Sequence, residues 1–551
     1  MIRYRLTGLR VKVPRPADLA MVARTLKVPV AGLSGFKLTR RSLDARQKPA
    51  LFYETTVEFD SEEPLDITPE PPLRLDLAPA EKGPELLLPP AGRAARVAVV
   101  GTGPAGLFAA LSLVDAGCLV TLFERGDPAE DRYRKVMRFW TKGEFDPESN
   151  VQFGEGGAGT FSDGKLTCGK RHDKIAVVLD VFHRFGAPDT ILYDAKPHIG
   201  TDRLVVVLRN IRKHLVENGA TLRYRARVVD VKRHEPGGAL KSLVLHDGEE
   251  IPFDLAIFAL GHSARDTVQT LYERGVAMTP KAFAVGVRIE HPQELIDRIQ
   301  YAQLSSACGV MPADYKQTFV AGNGRGVYTF CMCPGGEVIA CSSEPGGIVT
   351  NGMSRYKRAS GFANSGIVVQ TRESDFSQMP GPDLLKGMEF QRAIERRAFE
   401  IGGGTYAAPA LRVTDFLKPS KGRGPRALPK STYGPAIVPS ALDALYPEAY
   451  LSALRESLLA IDAKMKGFIS EEALLIAPES RTSSPVRIER NDWCESISMP
   501  GLYPAGEGAG FAGGIVSAAL DGLRVARHVR ARIAGETLPP EKTATFRGPE
   551  Y

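Results

Sequence analysis

No run of about 18 consecutive apolar residues occurs in the chain, which excludes a membrane-spanning helix. Cysteine is scarce, seven in 551 residues, an odd number without framework spacing. That excludes a disulfide scaffold and leads us to expect reduced thiols and a cytoplasmic location. The start, Met1-Ile2-Arg3-Tyr4-Arg5, runs into strand-like alternation and not into a signal-peptide apolar core. No Gly-x-Ser-x-Gly sits at a strand–helix elbow, so the hydrolase signature is missing. No second Cys/His pair stands at ligand spacing from Cys331 and Cys333, and no metal site is expected. No repeat of solenoid type is present.

What is there is a globular balance of 43% hydrophobic and 25% charged residues, in a chain long enough for several domains. The net charge of +7 hides a polarity. Residues 1–50 hold twelve Lys/Arg against Asp18 and Asp44, whereas residues 51–90 hold ten Asp/Glu against Arg74 and Lys82. The basic half is expected to face the acidic half. The alternative is a nucleic-acid footprint, in which the Lys/Arg face neutralises phosphates.

The pattern divides the chain into an N-terminal α+β module (1–63), a proline-rich linker (64–92) and a nucleotide-binding unit that begins near 93. The linker carries Pro64, Pro69, Pro71, Pro72, Pro79, Pro84, Pro89 and Pro90, which favours extended backbone along a surface or free of it. From Arg96 the order is strand, glycine turn, helix, strand. Leu222–Lys232 and Lys241–His246 read as a hairpin or meander, followed by an apolar strand from Leu255. Residues 281–474 read as an inserted domain, 475–535 as a return to the nucleotide-binding unit, and 536–551 as a polar tail.

The segment Gly101-Thr-Gly103-Pro104-Ala105-Gly106 follows a five-residue apolar strand and opens a helix, and Glu124 stands at the end of the next strand. Gly101 permits a tight turn, Gly103 a close approach to a pyrophosphate, and Gly106 close helix–strand packing. The helix start offers free N–H groups to phosphates. A carboxylate at Glu124 is placed to accept ribose hydroxyls and disfavours a 2′-phosphate, which points to FAD or NAD over NADP. A second glycine-rich helix start lies about 400 residues further on, in Gly501-Leu-Tyr-Pro-Ala-Gly506-Glu507-Gly-Ala-Gly-Phe-Ala-Gly513-Gly514.

This second motif resembles that of the glutathione-reductase-type flavoprotein superfamily, so FAD is the expected cofactor. By that resemblance Glu507, where Asp is usual, binds the ribityl or pyrophosphate part. The helix start at Gly514-Ile515 points at the flavin pyrimidine edge, and its dipole favours the anionic reduced ring. Ile257-Phe-Ala-Leu-Gly261-His262 matches the apolar strand that precedes the substrate domain, and the strand around Arg227-Val228 the one that meets adenine. More closely, Phe153 to Leu166, Gly286 to Pro292, Phe330-Cys-Met-Cys-Pro-Gly-Gly336, Asn351 to Ser354, Arg481 to Pro485 and Tyr503 to Gly508 resemble a bacterial family of generically named FAD-dependent dehydrogenases. The implied fold is α/β: an FAD-binding Rossmann-type domain, an inserted mixed α+β substrate domain and the small N-terminal module. The implied cofactor set joins Arg125, Gly157, Gly159, Ser162, Lys165 and Val228 to the residues already named.

Gly154-Glu-Gly156-Gly157-Ala-Gly159 also fits the dinucleotide spacing, but no amphipathic helix or acidic strand end follows, so it reads as a backbone loop against FAD. NAD(P)H is then at most a transient reductant. Cys331-Met-Cys333 reads as a buried strand with packed thiols, since no charged residue adjoins it in sequence; a strained disulfide exchanging electrons with flavin is the alternative. Arg288, Glu290, His291 and His262 are the candidate catalytic groups. The expected function is FAD-dependent hydride transfer to or from a small-molecule substrate. The alternatives are an RNA-modifying flavoprotein gripping a tRNA-like backbone through residues 1–50, and a non-catalytic flavin-bound sensor or interaction protein.

Overall fold

The computed structural model describes residues 1–79, 88–92, 95–169, 172–418 and 426–539. In the N-terminal module, strand Ile2–Lys12 pairs antiparallel with Phe52–Ser61, which pairs in turn with Leu33–Asp44. Leu6, Val57 and Phe59 meet Val22 and Leu26 of helix Leu19–Leu26 in a small core. Asp18 caps that helix, its carboxylate accepting from the Met21 N–H at 2.7 Å. The supposed linker is partly strand: Arg74–Leu77 pairs with Ile2–Lys12 as an edge, where the neighbouring prolines cost no ladder bonds. Residues 80–87 of that segment lie outside the described residues. The basic half does meet acids, with Arg3 on Asp60 at 3.2 Å and Arg5 on Glu58 at 2.6 Å. Arg41 reaches the main body, forking onto Asp194 at 2.7 and 3.0 Å.

The nucleotide-binding unit is built on a five-stranded parallel sheet in the order Leu502–Pro504, Leu255–Phe258, Arg96–Val100, Leu119–Phe123, Thr221–Arg223. All strand ends therefore point the same way, and the turns after them gather at one edge. Gly101 must be glycine: its φ is +101°, and a Cβ there would stand 2.3 Å from the Ala259 carbonyl oxygen. Helix Pro104–Asp115 leaves this turn with proline at its first position, where a missing N–H costs nothing. It packs against helix Ile515–Ala534 so closely that a Cβ at Gly522 would lie 2.1 Å from the Ala105 carbonyl oxygen.

The expected hairpin or meander divides at its first segment. Thr221–Arg223 joins the parallel sheet, whereas Val228–Arg233 pairs with Leu240–Leu245, which pairs in turn with Glu250–Pro252 in a three-stranded meander. Arg225 turns the chain between them at φ +54°, its guanidinium held by Asp127 at 2.6 Å.

The inserted domain is a seven-stranded sheet in the order Thr318–Val320, Gly326–Cys333, Phe362–Gln370, Ala284–Pro292, Leu474–Glu479, Ala408–Arg412, Ile437–Pro439. Leu474–Glu479 pairs with Ala284–Pro292 and Ala408–Arg412, so the expected boundary at 474/475 falls inside this sheet and the chain leaves the domain only after Glu479. Among the described residues no helix is long and apolar enough to cross a membrane.

Candidate functional site

The turns at the sheet edge, the 151–167 loop and one margin of the inserted domain enclose a cavity of about 380 Å³. Both glycine-rich helix starts open onto it. Gly103 and Gly514 are the residues preceding the two helices, and neither helix has a side-chain cap. The first N–H groups of each helix thus carry partial positive charge toward the cavity without a side-chain oxygen to satisfy them. The backbone there is bare: a Cβ on Gly103 would touch only the Gly157 Cα, at 3.8 Å, and one on Gly261 would meet nothing within 4 Å.

Glu124 lines the cavity but does not hold a free carboxylate to it. One oxygen accepts from the Thr102 N–H at 3.1 Å and the Thr102 hydroxyl at 2.7 Å, and the other from the N–H groups of Gly126 and Gly154, both at 2.9 Å. A carboxylate offers about four acceptor sites, and these donors occupy them. The expected ribose acceptor is therefore an anchor that ties the Gly101 turn to the 151–167 loop. The same loop is held from behind by Arg132, fully buried, which donates to the carbonyls of Asn150, Val151 and Glu155 at 2.7–2.8 Å. Burial pulls this guanidinium down to about 10.

At the far wall, Asp163 takes a hydrogen bond from Arg358 at 3.0 Å and lies 3.5 Å from the Lys165 ammonium. Burial alone would raise the Asp163 carboxyl, but Lys165 and Arg358 outweigh it and hold it well below the carboxylate range. Lys165 also donates to the Met332 carbonyl, which fixes it beside Cys331 and Phe330 in the wall. His262 lines the cavity with Nδ1 3.5 Å from the Glu507 carboxylate, while its buried Nε2 has no hydrogen-bond partner. Arg481, another lining residue, forks onto Glu395 at 3.0 and 2.8 Å, and Arg265 meets the same carboxylate at 2.9 Å. That buried trio joins the helix after His262 to the inserted domain.

Of the expected cofactor residues, all but Gly106 line this one cavity. Gly106 instead sits where a Cβ would lie 2.0 Å from the Gly101 carbonyl oxygen, so it serves the close packing its spacing suggested. The expected catalytic set divides. His262 lines the cavity, but Arg288, Glu290 and His291 do not. Glu290 and His291 are corrected to structural roles, because their strand is central in the seven-stranded sheet and covered on both faces. Glu290 accepts from the Thr432 N–H at 3.1 Å; His291 Nε2 bonds the Phe468 carbonyl at 2.8 Å, and its ring packs on Phe468. Arg288 is fully buried behind the wall, on Glu479, Asn364 and the Cys331 carbonyl. Phe330, Asn351 and Arg481 had no assigned role from sequence, although each stood inside a glycine- or serine-rich block that marks close backbone approach. Among the described residues no cluster of His, Cys, Asp and Glu could hold a metal ion.

Residues 282–482 match the family model described as FAD-dependent protein, C-terminal domain-like, and residues 17–60 match a domain of unknown function. An uncharacterized protein of Clostridium beijerinckii is 46% identical over 438 residues, 79% of this chain and 80% of that one. Among solved structures, a flavoprotein/dehydrogenase of Cytophaga hutchinsonii is 12% identical, covering 82% of each chain at a TM-score of 0.34. CtdE in complex with FAD is 12% identical, covering 80% of this chain and 84% of that one at a TM-score of 0.32. The uncapped helix starts and the bare glycine backbone fit a diphosphate-bridged cofactor, and the cofactor is FAD.

Proposed function

This chain belongs to the same family as the Clostridium beijerinckii protein, and on that premise we propose that it is an FAD-dependent oxidoreductase acting on a small-molecule substrate by hydride transfer. The observation that carries the reading is the convergence of two glycine-rich helix starts, at Gly103 and Gly514, on one cavity. Bound FAD supplies a two-electron acceptor and donor for a carbon-bound hydride.

The chain's own groups divide the rest of the work. The uncapped start of Pro104–Asp115 binds the diphosphate, and Glu124 and Arg132 hold the 151–167 loop in shape around it. The start of Ile515–Ala534 turns its positive end to the cavity at Gly514, where it favours negative charge. Lys165 is a fixed cation at the far wall, oriented by Asp163 and the Met332 carbonyl. His262, in the cavity lining, is placed to hold or move a proton at Nε2, which is buried and has no hydrogen-bond partner, with Glu507 beside Nδ1. The inserted domain closes the wall with Phe330 and Asn351 and excludes water.

The test has two stages. Denatured supernatant of purified protein releases FAD and neither FMN nor NAD. Anaerobic mixing with NADH and NADPH separately then reports whether either bleaches the bound cofactor. A colourless protein that cannot be reconstituted with FAD would overturn the reading.

A further inference from the structure

Cys331 stands in a break of the strand Gly326–Cys333. Its pairing with Phe362–Gln370 shifts register between Phe330 and Cys333, and Cys331 takes a left-handed φ of +44°. A non-glycine residue rarely accepts that conformation unless its surroundings enforce it, and such positions gather at functional sites. The bulge turns Cys331 to the cofactor cavity, partly exposed, while Cys333 is fully buried behind it.

The surroundings are those of an activated thiol pair. Arg288, on the strand Ala284–Pro292, donates to the Cys331 carbonyl at 2.5 Å and lies 3.8 Å from the Cys333 sulfur. Lys165 approaches from the loop side, bonded to the carbonyl of the residue between the two cysteines. Sequence reasoning denied the pair a charged activator; pairing of distant segments supplies two.

We propose that Cys331 and Cys333 form a redox-active dithiol on the wall of the FAD cavity, which passes an electron pair to bound FAD and closes to a Cys331–Cys333 disulfide. Its reactants are the Cys331 thiolate, the Cys333 thiol and oxidised FAD. The S–H bond of Cys333 breaks and an Sγ–Sγ bond forms. The sulfurs lose two electrons, and FAD takes both together with the Cys333 proton, ending as anionic reduced FAD. In reverse, reduced FAD reopens the disulfide. The proposal rests on FAD occupying this cavity.

The ionisation fits the roles. A hydrogen bond from Cys333 is the largest effect on Cys331; with Arg288 and Lys165 it overcomes burial and the Glu479 charge and lowers the thiol to about 7. Burial, then the bond to Cys331, raises Cys333 well above the usual thiol range. The groups that face the pair are Arg288, Glu479, Lys165 and Tyr315. Cys331 is thus the thiolate and Cys333 the proton-bearing partner.

Air-equilibrated holoprotein, its FAD content measured from denatured supernatant, is titrated anaerobically with dithionite. We expect wild type to take up two electron pairs per chain, and C331S and C333S to take up one, at equal FAD content. In reduced holoprotein, iodoacetamide labelling of Cys331, read by mass spectrometry, should rise half-maximally near pH 7, and in C333A nearer the ordinary thiol value of 9. Wild type that takes a single pair while both cysteines alkylate as free thiols in air would overturn the proposal. So would Cys331 labelling that rises only with an ordinary thiol. The FAD content reports separately on cofactor binding, and the electrons beyond FAD's own pair report on the cysteines.

Discussion

The N–H of Gly154 donates to the Glu124 carboxylate at 2.9 Å, so a loop and a strand end thirty residues apart are joined at the mouth of the first glycine turn. This bond makes Glu124 a part of the cavity's frame. Glu124→Ala leaves buried N–H groups of Thr102, Gly126 and Gly154 without their acceptor, and each such loss costs about 1–3 kcal/mol. FAD affinity should fall at least tenfold, with faster proteolysis in residues 150–165. Weakened FAD binding with the loop still protected would return Glu124 to the ribose role that its position in the motif suggested.

A second prediction concerns Glu395, which lies fully buried between Arg265 and Arg481. Burial alone would raise its carboxyl, but the two guanidinium groups outweigh that and hold it well below the carboxylate range. Glu395→Ala strands two buried cations, a change that typically costs about 3–5 kcal/mol. The midpoint of urea unfolding should drop accordingly, and the two domains should separate more readily to protease. An unchanged midpoint would show that solvent or a rearranged Glu344 replaces the lost charge.

His291 makes stability depend on pH. Burial lowers its imidazole from 6.5 to about 4, so in the fold it stays neutral while the unfolded chain takes up a proton. The unfolded state binds more protons between these values, and stability therefore falls as pH drops from 6.5 toward 4. The full loss is about 3 kcal/mol from this group. Urea unfolding of His291→Gln beside wild type should show a weaker dependence across that window. Parallel pH profiles would mean that His291 is solvated or protonated in the fold.

The glycine framework was legible because its spacing is local: Gly101 to Gly106 and Gly506 to Gly514 each act within one strand–turn–helix, and each lines the cavity as expected apart from Gly106. What was not legible depends on pairing between distant segments. Alternation in Ala284–Pro292 separates two faces but does not say that both are covered, so Glu290 and His291 looked available. Arg288 reaches Cys331 across the sheet and Lys165 from the loop, which no neighbouring residue announces. The strand Arg74–Leu77 was hidden by the prolines on either side of it, which an edge position tolerates. The end of the inserted domain was misplaced because Leu474–Glu479 is an apolar strand that either sheet could have used, and its partners decide.

His262 carries the sharpest test of the chemistry. Its Nδ1 is 3.5 Å from Glu507, its Nε2 has no partner, and it stands in the cavity wall after the Gly261 turn. If Nε2 exchanges a proton with substrate, His262→Gln keeps the ring's approximate volume but removes the titrating group. Reduction of bound FAD by its substrate or by NAD(P)H should then slow by about 10²–10⁴, the range for loss of a general acid or base. FAD content should stay at the wild-type level, since in the function proposed above the glycine segments hold the cofactor and His262 does not. Stopped-flow reduction across pH distinguishes a proton carrier from a packing group: the carrier's removal abolishes one limb of the profile, whereas a packing defect lowers the whole curve. Glu507→Gln should slow reduction less than His262→Gln does, because Glu507 stands 3.5 Å from Nδ1 and does not replace the imidazole. A His262→Gln enzyme with an unchanged profile would take His262 out of the chemistry and turn attention to the cavity's other ionisable groups, Lys165 and Cys331 among them.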